Sequence, residues 1–110
     1  MNPNKIYQSY MESGTAMAEA KYAFKQLDTQ TKSILAHDTM LAREVDGVKS
    51  MAEAKEIALA SSQYRDHLRD VCVAELEYEK ARVAYSAVQA LFDAQRTVEA
   101  TERASLRGAA

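Results

Sequence analysis

The sequence predicts an all-α protein: a long antiparallel helical hairpin, coiled-coil-like, with a short helix at its turn. Three observations predict it. Two apolar series run at alternating three- and four-residue spacing. The first is Tyr10, Ser13, Met17, Ala20, Phe24, Leu27, Thr31, Ile34, Asp38, Leu41 and Val45; the second is Tyr64, His67, Val71, Ala74, Tyr78, Ala81, Tyr85, Val88, Phe92 and Gln95. A mean step of about 3.5 residues is the seam of a coiled coil, not the alternation of a strand. Helix breakers are scarce, with three glycines and one proline in 110 residues, and Pro3 stands ahead of both series. Hydrophobic residues make up 47% of the chain, a globular value that argues against disorder.

Residues 1–4 read as a flexible tail. The helical pattern starts at about Lys5 and runs to Val45; Gly14 costs it about 1 kcal/mol relative to alanine and loosens its first turns. Asp46-Gly47 ends this helix, the glycine suiting the left-handed position beyond a helix terminus. Ser50-Met51-Ala52-Glu53 has the form of a capping box, in which the serine oxygen accepts a backbone N–H and the glutamate reaches back. It opens a short helix over about 51–59. Ser61-Ser62 offers an N-cap for a third helix over about 63–106, with 108–110 a frayed end. Residues 5–107 thus form a single domain, its two long helices each spanning about 60 Å.

Closing the hairpin near residues 46–62 predicts a register. Ile34 faces Ala74, Leu27 faces Ala81 and Ala20 faces Val88, while Phe24 stacks near Tyr85 and Met17 near Phe92. Large against small at alternate levels lets the helices approach closely and interlock. Outside the seams remain Tyr7, Met11, Tyr22 and Leu35 on the first helix, and Leu68, Val73, Leu76, Val83, Leu91 and Val98 on the third. Such a stripe is seldom left in water by a soluble monomer. A homodimer forming a four-helix bundle is the first expectation, with a higher oligomer or a different protein partner as the others.

Fourteen basic and sixteen acidic residues leave a formal charge of −2. That balance disfavours direct nucleic-acid binding without excluding a local patch, since Arg96, Arg103 and Arg107 stand among Glu99 and Glu102. The lone Cys72 makes neither an internal disulfide nor a metal cluster, suits a reducing compartment, and reads as a small buried residue between Val71 and Val73. No apolar run approaches the ~18 residues of a membrane span, and the first residues lack the core of a signal peptide. No membrane partner and a cytoplasmic location are therefore expected.

The polar seam residues Asp38 and His67 are predicted to face each other as a buried structural pair that fixes register. An acid–base dyad, or a metal site with His37 and Asp66, is the less favoured reading. Glu75, Glu77 and Glu79 do not converge on a ligand, because helical residues two apart point away from each other. No phosphate loop, dinucleotide turn or catalytic triad is evident, so no catalytic residue, cofactor or metal is expected, and the chain reads as a non-enzyme. Tyr78 and Tyr85 belong to the core. Tyr7, Tyr10 and Met11, with Arg96, Arg103 and Arg107, lie toward the helix ends and are the candidate partner contacts.

Three stretches carry a resemblance: Lys25-Gln26-Leu27-Asp28-Thr29-Gln30-Thr31-Lys32 continuing to Ala36, then Lys49-Ser50-Met51-Ala52-Glu53, then Ala58-Leu59-Ala60-Ser61-Ser62-Gln63-Tyr64-Arg65-Asp66-His67. With the Ala-Arg-x-x-Tyr-x-Ala cadence after Lys80, residues 18–107 resemble small uncharacterised all-helical proteins of tailed bacteriophages and prophages, often encoded near phage recombination genes. The resemblance implies an accessory role in phage DNA recombination or replication, through contacts with another phage or host protein. An inhibitor of a host defence system, of anti-CRISPR or anti-restriction type, is the alternative. A weak single-stranded nucleic-acid binder follows, and an enzyme built on His67 and Asp38 is last.

Overall fold

The computed structural model describes residues 2–45 and 47–109, the side chain of residue 109 excepted. Met1, Asp46 and Ala110 lie outside them, and with them the helix end expected at Asp46 and the last residue of the expected frayed segment. Three helices make an all-α hairpin: α1 (Pro3–Val45), α2 (Met51–Ala60) and α3 (Ser62–Ala109). The described residues include no strand.

The helix ends follow from local chemistry. Asn2 Oδ1 accepts the Asn4 N–H at 2.9 Å, and the Asn2 carbonyl accepts those of Lys5 and Ile6. Pro3 occupies the first helical position, where a missing N–H costs nothing. Residues 3 and 4 therefore belong to α1, not to the tail the sequence suggested. Gly47 takes the left-handed φ of +68° beyond the end of α1. Ser50, in extended backbone, accepts the Glu53 N–H on its side chain and so caps α2. Ser61 serves two helices at once. Its hydroxyl donates to the Ala58 carbonyl at 2.7 Å, closing α2, and accepts the Tyr64 N–H at 3.2 Å, opening α3. At the other end α3 runs through Gly108 to Ala109, past the terminus expected near residue 106.

The chain divides into two compact units, a turn unit (Ala20–Glu77) and a terminal unit (Met1–Glu19 with Tyr78–Ala110). In the turn unit the buried residues are Asp38, Thr39 and Ala42 of α1, Ala54 and Ala58 of α2, and Tyr64, His67 and Val71 of α3. The three alanines let α2 come close to the last turns of α1, and Arg43 Nη1 lies 3.1 Å from Met51 Sδ.

This placement of α2 corrects two seam assignments. Leu41 and Val45 are exposed, Val45 to 76%, and burial passes to Thr39 and Ala42. The last turns of α1 pack on α2 instead of α3, so the side they bury is rotated from the seam. The register changes with it. His67 Nε2 meets Thr31 Oγ1 at 2.9 Å, two turns along α1 from the expected Asp38. Cys72, expected in the core, is exposed, because the seam passes through Val71 and Ala74 and leaves it on the outer side.

In the terminal unit α1 and α3 pack antiparallel around Ile6, whose side chain is 1% exposed. Phe92 meets Tyr10 and Tyr7, at ring separations of 4.9 and 6.3 Å, and Tyr85 meets Tyr10 at 5.4 Å. The expected neighbours were Met17 for Phe92 and Phe24 for Tyr85, so these contacts shift the register by about ten residues, nearly three turns. The physical reason is the ten-residue α2: it occupies the end of α1 that α3 was expected to cover. Gly14 has a packing role here. A Cβ on it would stand 3.3 Å from Cε2 of Tyr85, so the missing side chain seats that ring, and α1 continues through it without interruption. The shifted register also carries α3 beyond the start of α1, and residues 100–108 are all exposed.

Candidate functional site

The candidate partner contacts lie on the terminal unit. Tyr7 is about half exposed, its ring tilted 47° to that of Phe92. Tyr10 is more enclosed and shares a 3.0 Å hydroxyl–hydroxyl hydrogen bond with Tyr85. That bond and the charge interaction with Tyr85, then desolvation and Asp93, push the Tyr10 phenol above its ordinary value. The Arg96 guanidinium carbon lies 6.0 Å from the Phe92 ring centroid, at the outer reach of a cation–π contact. Tyr7, Tyr10 and Arg96 are thus gathered around one ring, Phe92.

Arg96 also lines a shallow groove with Asp93, Thr97, Ala100 and Arg103. Arg103 and Arg107 stand on the exposed end of α3. Met11 lies away from this group, beside Glu12, Thr15, Ala16 and Glu19 in a separate shallow groove. The structure therefore joins Tyr7, Tyr10 and Arg96, adds Arg103 through the groove, and leaves Met11 apart.

Apolar surface is the other resource of this unit. Val83, Leu91 and Val98 are exposed on the outer side of α3, with exposed Ala87, Ala90 and Ala94 between them. Spacings of eight and seven residues hold the three on one side of the helix, away from the seam of Tyr85, Val88 and Phe92. In the turn unit Leu68, Cys72 and Leu76 repeat the arrangement at four-residue steps.

Asp38 and His67 are both buried in the turn unit, yet they do not form the expected pair. His67 bonds to Thr31. Both carboxylate oxygens of Asp38 are shielded and accept no hydrogen bond from the protein, and the nearest ionisable partner is the mostly exposed His37, with Nδ1 3.6 Å from Oδ1. The dyad geometry is therefore absent. Among the described residues no three His, Cys, Asp or Glu side chains are grouped to hold a metal ion, and no helix is long and apolar enough to cross a membrane.

The sequence reading missed Ile6 and the overhang of α3. Ile6 was within reach, since stepping the first seam back four residues from Tyr10 lands on it. The overhang carried no local signal, because it depends on where α2 packs. No protein-family model matches the chain, and no curated protein or solved structure does.

Proposed function

We propose that this chain is a non-enzymatic interaction protein that self-associates through the outer face of α3 and engages another protein through its helix ends. One observation carries the reading: the exposed apolar face of Val83, Leu91 and Val98, set with alanines that permit close helix approach. Burial of such side chains is worth about 1.5–3 kcal/mol each, and a second copy supplies the matching face by symmetry. Replacing Leu91 and Val98 with lysine tests this. Both positions are exposed, so helicity by circular dichroism is expected to stay unchanged while the light-scattering mass falls to that of one chain.

The second contact surface is the group around Arg96, Arg103 and Arg107, two of them on the exposed end of α3. The resemblance of residues 18–107 supports a partner from phage DNA recombination or replication. Charge reversal at Arg103 and Arg107 is expected to abolish capture of that partner from phage-infected lysate while leaving helicity intact. Retained capture discards this surface. Capture of a host defence complex by the unaltered protein replaces recombination with the anti-defence role.

A further inference from the structure

Between α1 and α2, in the turn unit, runs a groove of about 660 Å³. Leu35, Met40 and Met51 supply apolar walls together with two alanines, and Lys32 and Lys55 complete the sides. The remaining lining residue, Thr39, donates its hydroxyl to the Leu35 carbonyl at 2.7 Å and so adds no unmet polar group. Met40 and Met51 are each about half exposed, which makes this an open trough and not an enclosed cavity. Its charge is opposite to that of the chain. Both charged lining residues are lysines, in a protein of formal net charge −2, and neither is engaged in an ion pair among the described residues. The acidic neighbours of Lys55 in sequence, Glu53 and Glu56, are not part of the lining. Arg43 adds a third cation beside the groove, its Nη1 3.1 Å from Met51 Sδ.

An apolar trough with an unpaired cation on each of its two helices is complementary to an apolar face flanked by carboxylates. We propose that this groove docks an amphipathic acidic helix of a partner protein. The helix sets aliphatic side chains against Leu35, Met40 and Met51 and its carboxylates toward Lys32 and Lys55. Methionine suits such a contact, because its flexible, unbranched side chain adapts to the surface it meets. The helical form of the partner follows from the walls. Two helices offer no free backbone edge, so a docked peptide must satisfy its own N–H and C=O groups, as a helix does. The openness of the trough argues against a small anionic amphiphile, which a ligand pocket normally encloses over most of its surface. The groove uses no residue of α3, so it goes beyond both the self-association and the arginine contacts proposed above.

The test is a methyl NMR titration of the full chain, read at Met40 and Met51, with a synthetic helix carrying leucines along one face and glutamates on both flanks. Saturable shifts at both methionines are expected. A peptide with lysine in place of glutamate, and one with alanine in place of leucine, are each expected to bind at least about tenfold more weakly. Lys32→Glu combined with Lys55→Glu, at two exposed positions, is expected to leave helicity unchanged and to invert the preference between the acidic and basic peptides. No saturable shift up to the acidic peptide's solubility limit, equal binding of the basic or the alanine peptide, or an unchanged preference in the folded double variant would each overturn the proposal. Dodecanoate binding as tightly as the acidic peptide would reassign the groove to a small amphiphile. Methionine shifts that follow chain concentration without peptide would reassign it to a second copy, and either result overturns the proposal too. The Leu91→Lys, Val98→Lys protein is expected to bind the acidic peptide unaltered, so failure of self-association and failure of this site are distinguishable.

Discussion

Thr31 and His67 are polar residues in an otherwise half-apolar seam, and their 2.9 Å contact makes both tolerable there. Thr31→Val keeps the shape and removes the partner of a buried ring nitrogen. The expected loss is about 1–3 kcal/mol of unfolding free energy by denaturant titration, and a loss below the error of that titration would mean another group satisfies His67. Tyr10 gives a pH dependence whose sign follows from its raised pKa. A group raised on folding stabilises the fold below its unfolded pKa and loses that contribution as pH rises through the folded value. Tyr10's contribution is full below pH 10.0 and is lost above it. Melting temperatures taken from about pH 8 to about pH 11 should fall less steeply at the alkaline end for Tyr10→Phe than for the unaltered protein. At this scale the sequence was informative about which side chains are enclosed and silent about which touch. Asp38 and His67 were identified as buried, but pairing depends on register, and each seam admits several registers with similar burial.

The elements were the most legible part. Every residue of the second series from Tyr64 to Gln95, and of the first from Tyr10 to Asp38, is buried or half-buried, because a 3.5-residue repeat selects one face of a helix whatever packs against it. The failures cluster at Leu41 and Val45, where the packing partner changes from α3 to α2. Periodicity identifies a face only while one neighbour covers it. The caps were legible for the same local reason, as Ser50 and Ser61 act within three residues of themselves. Pro3 was read as a breaker because its value at a helix start appears only with Asn2 counted as the cap. Ser61 carries the strongest element-scale expectation, since its hydroxyl bonds to both flanking helices. Ser61→Ala should cost about 1 kcal/mol in stability, with faster amide exchange in the first turn of α3; exchange unchanged at Tyr64 N–H would contradict the capping role.

For the whole molecule, the hairpin leaves Val83, Leu91 and Val98 exposed on α3, and the proposed self-association would cover them with a second copy. The same property explains why function is hard to read from this chain. Catalytic sites announce themselves through convergent polar groups, whereas an interaction helix shows only small and apolar residues that also serve a core. The shifted register adds to this: it exposes the end of α3 with Arg103 and Arg107, a surface that no local motif marks. The native Cys72, exposed on α3 between Leu68 and Leu76, offers a spin-label site for locating the pairing of two copies. The most direct measurement is the solution mass by light scattering on a size-exclusion column over a range of loadings. Self-association predicts twice the 12.2 kDa chain mass, independent of loading. A mass of 12.2 kDa at every loading would contradict it.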